Sequence, residues 1–341
     1  MQKTERIWGT SPKILLLLLL LTAIFLGSFL LGRYPVTPDK VLAILASKVI
    51  SIPKTWTDTM ETVVLQVRFP RIVAALLVGG ALSVSGAAYQ NIFKNPLVSP
   101  AILGVSAGAG FGAALGMILY LPWAVVQAMA FLFAMLAVAI SFLISRIFGG
   151  SSMIVLVLGG MVISALFQAL LSVAKYLADP LDTLPAITFW LMGGLSKVSN
   201  SDVLFALFPI TISIAVLYLI RWQINVLTVG DEEAIALGVN VNRIRLLVVI
   251  CATLMTAAAV SISGIIGWVG LLVPHMARMV IGPNFQLLLP TSLLMGSGYL
   301  LLVDNVARNV SSVEIPLGIL TALIGAPFFI FLLSKVRKGW S

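Results

Sequence analysis

The sequence predicts an all-α polytopic membrane protein whose ten transmembrane helices form a single domain over residues 1–341. Three observations lead to this prediction. Hydrophobic residues make up 60% of the chain and charged residues only 10%, whereas soluble domains carry roughly a quarter charged residues. The apolar residues fall in runs of about 20, the length that crosses a bilayer as a helix. The charged residues lie mostly between these runs.

Nine apolar runs are long enough to span, and a tenth segment is apolar but shorter. The predicted spans are 14–32, 72–93, 97–120, 123–145, 153–173, 203–221, 246–264, 265–281, 286–303 and 315–334. The short segment 265–281 contains Gly267, Gly270 and Pro274, so we expect a short or broken helix there. The first run is longer than the apolar core of a signal peptide and is expected to be a retained span.

Charge asymmetry predicts the orientation. Ten spans put both termini on one side, and with the termini inside, 12 of the 21 Lys and Arg residues face the cytoplasm. The positive-inside rule therefore predicts a multi-pass protein of the cell (inner) membrane with both ends cytoplasmic. The long loops are then residues 222–245 inside and 33–70 outside. Basic residues are scattered and form no stripe, so the net charge of +9 does not indicate nucleic acid.

Two short stretches resemble each other and suggest an internal repeat. "ALSVSG" (81–86) lies in the second span and "AVSISG" (259–264) in the seventh. Because these spans are five crossings apart, they run in opposite directions, as in the inverted-topology repeats of transporters. The alternative is that both stretches carry small residues only because helices approach each other closely there.

The densest charge cluster of the chain lies in the predicted inner loop. Asp231, Glu232 and Glu233 are its only adjacent acids. We expect Asp231 to cap a helix that runs from Glu232 to Leu237, with the acids favourable at its N-terminus and Gly238 ending it. So short a helix is not stable alone in water, and its acids do not suit an anionic lipid leaflet. The sequence therefore predicts a protein partner, and the alternative is a solvated loop.

Few other residues suggest chemistry. We find no nucleotide-binding glycine motif, no Walker lysine, no CxxC and no histidine pair, so no catalytic residue and no metal site is predicted. Cys251 is the only cysteine, which excludes an intrachain disulfide. His275 is the only histidine, and we expect a structural hydrogen bond rather than a metal or catalytic role. Asp304 is a candidate intramembrane acid, and Arg308 can pair with it one helical turn later.

Several stretches together resemble one family of transport proteins, in the order found there. They are "RFPRIVAALLVGGALSVSGAAYQNIFKNPLVSPAILGVSAGAG" (68–110), "ITFWLMGGL" (187–195), "GLLVPHMAR" (270–278), "DNVAR" (304–308) and "EIPLGILTALIGAPFF" (314–329). With the "EAIALG" of the inner loop, they resemble the FecCD/BtuC-type permeases of ABC importers. The resemblance implies a type II importer fold with an inverted repeat.

The same resemblance implies the partners. It implies a homodimer of this chain, two cytoplasmic ATPase subunits, and a periplasmic or lipid-anchored substrate-binding protein. The chain itself would be no enzyme and would bind no cofactor, since ATP and Mg²⁺ belong to the ATPase.

The resemblance also implies three groups of site residues. The loop that couples to the ATPase comprises Gly230, Asp231, Glu232, Glu233, Ala234, Leu237 and Gly238. The arginines that meet acids of the binding protein at the outer face are Arg68, Arg71 and Arg308. The residues that narrow the path at its cytoplasmic end are Asn95, Leu97, Ser151 and Ser152.

Each of these groups has a plainer alternative. The arginines can be residues that snorkel at helix ends, although guanidinium groups suit carboxylates and rim charges steer docking. The inner residues can belong to an ordinary loop with helix caps. In either case Pro96 and Pro100 are expected to force a non-helical turn there.

The predicted function is that of the permease subunit of a binding-protein-dependent ABC importer. Its cargo would be a metal chelate (iron–siderophore, haem or cobalamin type) or, alternatively, molybdate or tungstate, the branch to which Trp268 and Asn305 point. An ion-coupled secondary transporter would carry more ionisable groups in its spans than this chain does. A membrane-embedded enzyme would need paired carboxylates or a nucleophile–base set, and we find neither.

Overall fold

The computed structural model of the chain describes residues 11–149, 153–311 and 313–337, and all regular structure within them is helical. The α-helices are α1 (Ser11–Ser28), α2 (Pro38–Ala46), α3 (Asp58–Thr62), α4 (Phe69–Ile92), α5 (Val105–Ile118), α6 (Trp123–Gly149), α7 (Met153–Leu177), α8 (Thr183–Met192), α9 (Asn200–Leu219), α10 (Arg221–Leu227), α11 (Asp231–Ala236), α12 (Val241–Ser263), α13 (Val269–Ile281), α14 (Phe285–Asn309) and α15 (Leu317–Arg337). A π-helical turn, Val63–Arg68, joins α3 to α4, and a 3₁₀ turn, Pro100–Leu103, precedes α5.

Each of the ten predicted spans coincides with a helix. Within the described residues, six continuous helical stretches are long and apolar enough to cross a membrane, and α1, α5, α8, α13 and α15 contain shorter apolar ones. The chain is thus a multi-pass membrane protein, while the count of ten crossings stays a prediction. Helix α8 is not among the predicted spans, because ten residues rise only about 15 Å, half of the hydrocarbon core.

Helices α4 and α12 form the centre of the bundle. Their most apolar stretches are 83% and 78% buried within the chain, against 33%, 28% and 33% for α6, α7 and α9. Helix α4 packs against α12, α13 and α14. The peripheral helices therefore turn most of their apolar surface outward, where a bilayer solvates it.

The two similar stretches lie on these central helices and run antiparallel, as an inverted repeat requires. The Ser85 and Thr256 hydroxyl oxygens are 3.1 Å apart, and those of Tyr89 and Thr253 are also 3.1 Å apart. Residue numbers therefore increase in opposite directions along α4 and α12. All four hydroxyl groups are buried, so these pairs satisfy polar groups that lipid cannot satisfy.

Glycines set the closest helix contacts. A Cβ on Gly79 of α4 would lie 2.2 Å from the carbonyl oxygen of Gly296 on α14. A Cβ on Gly86 would lie 1.8 Å from the carbonyl oxygen of Gly270 on α13. Any side chain at these positions would force the helices apart, because the nearest atoms are backbone.

Both predicted chain breaks are present. After α4 the backbone turns at Lys94 (φ 49°) and continues through the 3₁₀ turn at Pro100, as the two prolines predict. After α12 it leaves the helix at Gly264 (φ 67°) and enters α13 after Trp268 (φ 69°). Segment 265–281 is therefore an irregular turn followed by a 13-residue helix, and the expectation of a short or broken helix is confirmed.

Two hydrogen bonds mark the two ends of the bundle. At one end, Lys13 donates to the carbonyl oxygen of Val280 at 2.9 Å. At the other end, the backbone nitrogen of Leu317 donates to the carbonyl oxygen of Gly193 at 2.9 Å. These will be called the inner end and the outer end, after the predicted orientation.

Candidate functional sites at the two ends of the bundle

The acidic helix α11 lies at the inner end and is tied to the bundle by Asp231. The Asp231 carboxylate accepts from Arg245 Nη2 at 2.8 and 2.9 Å and lies 3.7 Å from Lys94 Nζ. The residue before the helix is Gly230, and no side chain caps it. The expectation that Asp231 caps α11 is therefore wrong. Its carboxylate instead pairs with cations from the start of α12 and the end of α4.

The C-terminal end of α11 satisfies its own carbonyl groups. Gly238 (φ 77°) donates to Ile235 O, and Val239 donates to Ala234 O, each at 2.9 Å. This is the Schellman arrangement, and it comes with the usual apolar contact, since Ala234 and Val239 are both buried. The bundle itself therefore contributes to holding the short helix, beside the protein partner that the sequence predicts. A Cβ at Gly238 would meet no atom within 4 Å, so the positive φ is what favours glycine there.

One face of the α11 loop exposes apolar side chains beside two acids. Val229, Ile235 and Leu237 are 73%, 64% and 61% exposed, and Glu232 and Glu233 are exposed as well. Of the predicted coupling residues, Ala234 is fully buried, so Ile235 rather than Ala234 contributes to this face. Packing against the bundle fixes how the helix is rotated.

At the outer end, Arg71 binds two carboxylates. Its Nη2 and Nε donate to Asp304 at 2.9 to 3.1 Å, and its Nη1 donates to Glu314 at 2.8 Å. Arg71 is 7% exposed and Asp304 is fully buried, whereas the Glu314 side chain is 37% exposed. The Arg71–Asp304 pair was not predicted from the sequence, because 233 residues separate its members. The expected partner of Asp304, Arg308, lies farther away, with Nε at 3.8 Å.

The other two candidate docking arginines are also buried within the chain. Arg68 donates to the carbonyl oxygens of Phe29 and Tyr34 at the end of α1. Arg308 donates to Ser28 O at 2.8 Å and to Asn305, whose amide in turn donates to Ser28 Oγ at 2.7 Å. With exposures of 3% and 6%, neither arginine snorkels to water. They fasten α1 to α4 and α14.

The inner turn contains two of the four candidate gate residues. Asn95 Oδ1 accepts from the backbone nitrogen of Leu97 at 2.9 Å, and the Leu97 side chain is 55% exposed. The neighbouring Lys94 contacts Asp231, so this turn lies next to α11. Ser151 and Ser152 fall outside the described residues.

A cavity at the outer end was not predicted from the sequence. It has a volume of about 140 Å³, and its lining includes Arg71, Trp190, Lys197, Ser263 and Glu314. These residues come from α4, α8, α12 and two outer loops, which only tertiary packing brings together. The cavity places charged groups of both signs beside apolar surface.

The remaining candidates have plain structural surroundings. The His275 side chain on α13 is partly buried and hydrogen-bonds to no other residue in the described ranges, so the expected structural bond is not formed within them. Those ranges also contain no group of three or more His, Cys, Asp or Glu side chains that could hold a metal ion. The Trp268 ring packs edge-on against Phe329, with 6.4 Å between centroids.

Comparison with known proteins identifies the family. The model of the FecCD transport family matches residues 17–335. The chain belongs to the FecCD transport family. It is 42% identical to the molybdate import system permease MolB of Haemophilus influenzae, over 96% of this chain and 97% of that protein. It is also 42% identical to a probable iron chelatin permease of Helicobacter pylori, over 82% of this chain and 85% of that protein.

A solved structure carries the same fold. This chain matches an inward-facing metal-chelate type ABC transporter with a TM-score of 0.85 and 40% identity, over 95% of this chain and 99% of that one. The fold implied by the resemblance is confirmed, and so is the function class. The FecCD chain is a non-catalytic permease subunit of an ABC importer, and ATP hydrolysis belongs to a partner ATPase. The secondary-transporter and membrane-enzyme alternatives are thereby rejected.

Proposed function

We propose that this FecCD permease forms the translocation path for a metal-containing cargo and that α11 receives the ATPase. The main observation behind this proposal is the exposed apolar face of Val229, Ile235 and Leu237 at the inner end. Glu232 and Glu233 flank that face. Exposed apolar groups beside charge mark a protein contact when they lie outside the membrane. The chain contains no nucleotide-binding motif of its own, so a motion driven by ATP has to enter through such a contact.

The tether of α11 suggests how that motion spreads. Asp231 connects the helix to Arg245 at the start of α12 and to Lys94 at the end of α4. These are the two central helices of the bundle. A displacement of α11 would therefore act on both halves of the inverted repeat at once, and on the adjoining turn of Asn95 and Leu97, where we place the inner gate with Ser151 and Ser152.

Replacing Ile235 and Leu237 together by serine tests the coupling role. We expect the permease to insert and fold normally, but to lose ATPase co-purification and uptake, because the apolar contact is removed. The matched control is Val313→Ser, which removes an apolar side chain of 71% exposure at the outer end. Retained ATPase binding in the double variant would contradict the proposal.

We propose that the substrate-binding protein docks at the outer end, around the positive charges of Arg68, Arg71 and Arg308. Among the carboxylates bound to these arginines, only that of Glu314 is substantially exposed. A partner carboxylate can therefore reach Arg71 by displacing Glu314. Glu314→Gln should strengthen association with the binding protein and make it more sensitive to salt, since exposed charges are screened beyond about 8 Å. Association that is unchanged at every salt concentration would reject docking at Arg71.

The cargo is proposed from the relatives. A metal chelate of the iron–siderophore, haem or cobalamin type is supported by the metal-chelate structure and by relatives named for iron chelatin, haemin and cobalamin transport. Molybdate or tungstate is the second candidate, supported by the 42% identity to MolB over nearly the whole chain. Uptake into vesicles with the cognate binding protein separates the two, using labelled ferric chelate, haem and cobalamin against labelled molybdate.

Orientation and assembly are also proposals. We propose a homodimer in the cytoplasmic membrane with both termini inside, together with two ATPase subunits. Native mass spectrometry measures the stoichiometry. In a Cys251→Ser background, a membrane-impermeant thiol reagent should label Asp58→Cys in intact cells and leave Glu232→Cys unlabelled. The reverse pattern would overturn the orientation and the coupling role of α11 with it.

A further inference from the structure

A groove between α6 and α12 has no role in the function described above. Two cavities of about 250 and 430 Å³ follow one another along it and share Phe142, Arg146, Leu246 and Val249 as walls. The first lies at the inner end of the bundle and the second extends toward its middle. Together they form one elongated groove with two chemically different parts.

The inner part of the groove is a basic mouth. Within the described residues, its lining includes Arg146, Asn242, Arg243 and Arg245 and no acidic residue. Arg146 and Arg243 are exposed and form no ion pair with any other residue of the described ranges. Arg245 pairs with Asp231, but its buried Nε has no hydrogen-bond partner there. The mouth therefore offers donors and positive charge that the chain does not use.

The deeper part of the groove is an apolar slot. Its walls include Met135, Ala139, Leu143 and Ile250, and Thr253 is the polar residue at its far end. Arg146 and Met135 are eleven positions apart on α6, which corresponds to about 16 Å along the helix axis. One leaflet contributes about half of the roughly 30 Å hydrocarbon core. The slot thus reaches from the mouth through one leaflet.

We propose that this groove binds one acidic phospholipid of the inner leaflet. Its headgroup phosphate lies between Arg146 and Arg243, and one acyl chain lies in the slot beside Ala139. Basic pockets between transmembrane helices suit anionic headgroups, and guanidinium forks bind phosphate oxygens in pairs. A protein surface would use the mouth but has no use for an apolar slot that runs to mid-membrane depth.

The position of the lipid gives it a regulatory consequence. Arg245 belongs to the mouth and also holds Asp231, the tether of α11. A phosphate at the mouth adds negative charge beside that ion pair and competes with Asp231 for Arg245. Lipid binding therefore loosens α11, and the acidic lipid content of the membrane tunes coupling.

Lipid retention in the purified permease tests the proposal directly. The protein is incorporated into nanodiscs containing equal amounts of phosphatidylglycerol and phosphatidylcholine with identical chains, extracted, and analysed by native mass spectrometry. We expect one retained phosphatidylglycerol per chain. In the Arg146→Gln/Arg243→Gln variant its retention should fall about 25-fold, from roughly fivefold per arginine. The control Lys13→Gln/Arg221→Gln removes the same charge at the inner end and should retain the lipid.

Two further measurements distinguish the occupants. Ala139→Phe fills the slot and leaves the arginines in place, so it should also lower phosphatidylglycerol retention, and 10 mM inorganic phosphate should not displace the lipid. Equal retention of the two lipids, an unaffected arginine variant, or displacement by phosphate would overturn the proposal. Loss of the lipid when the ATPase binds would assign the mouth to the ATPase and overturn it as well.

Discussion

The two ends of the bundle use charge in opposite ways. At the outer end, Arg71 and Asp304 are buried, and their ion pair closes inside the protein. At the inner end, the Asp231 side chain is 44% exposed and ties down a helix whose other acids face outward. The buried charges at the outer end therefore stabilise the permease itself, whereas the exposed acids at the inner end leave a surface for a partner.

The energies of the two ion-pair types differ accordingly. Removing one partner of a buried pair leaves an uncompensated charge and costs about 3–5 kcal/mol. An exposed pair contributes about 0–1 kcal/mol, because water screens it. Substitutions in the buried outer ion pair should therefore lower stability. Substitutions at the inner end should lower transport while the fold is kept.

The largest effect is expected from Arg71→Met. The substitution removes the hydrogen-bonded partner of the buried Asp304 and leaves it with Arg308, whose Nε is 3.8 Å away, so the free energy of unfolding should fall by up to about 3–5 kcal/mol. Thermal unfolding in detergent and the yield of monodisperse protein measure this loss. Such a variant cannot report on docking, because it fails before any partner binds.

The double variant Arg71→Met/Asp304→Leu sharpens the result. With both charges gone, apolar side chains replace the pair, and much of the lost stability should return, since buried pairs are often exchangeable for apolar residues. If the single variant is as stable as the wild type, the outer charges have no structural role and the contrast between the ends disappears.

A smaller effect on stability, with a large effect on uptake, is expected from Gly238→Val. A β-branched residue at φ 77° is strained by about 1–3 kcal/mol, and the strain falls on the exit of α11. The variant should insert and still bind its outer partner, yet lose uptake and partner-stimulated ATP hydrolysis in reconstituted vesicles.

Gly238→Asn is the matched control for that prediction. Asparagine adopts left-handed backbone far more readily than valine, and a Cβ at this position meets no atom of the chain. The asparagine variant should therefore keep most of its uptake. Normal uptake by Gly238→Val would remove the coupling role from this residue.

Asp231→Asn should change stability by less than about 1 kcal/mol, because the Asp231 side chain is 44% exposed and water screens its pair with Arg245. It should nevertheless lower uptake, since α11 loses its charged link to α4 and α12. Hydrogen exchange of residues 229–239 should rise while exchange in α4 stays unchanged. Unchanged exchange in the loop would mean that the Schellman end alone holds the helix.

The smallest effect is expected from Lys54→Gln in the outer loop. Lys54 pairs with Asp58 at 2.5 Å and with Glu61 at 3.0 Å, but its side chain is 48% exposed. Its loss should leave the midpoint of thermal unfolding and the uptake rate unchanged. A marked drop in that midpoint would show that exposed ion pairs at the outer end also stabilise the fold. It would contradict the expected difference between Lys54 and the buried Arg71.

The helical membrane architecture, the position of most helices and the two chain breaks could be predicted from the amino-acid sequence alone. A run of about 20 apolar residues in lipid has to form a helix, because its backbone groups must hydrogen-bond within the segment itself. Pro96, Pro100 and Gly267 act locally, so their effects can be read from neighbouring residues. The family motifs are likewise linear, and they led to the permease class.

The contacts between side chains that are distant in the chain depend on tertiary packing. Arg71 and Asp304 are far apart in the chain, and nothing near either residue indicates the other. Whether Ala234 or Ile235 faces outward depends on how α11 is rotated against α12, and the pairing of Asp231 depends on Arg245 arriving from the next helix. Local pattern fixes an element because its causes lie within a few residues. A buried ion pair or an exposed face depends on packing between elements, and that packing is set by the whole fold.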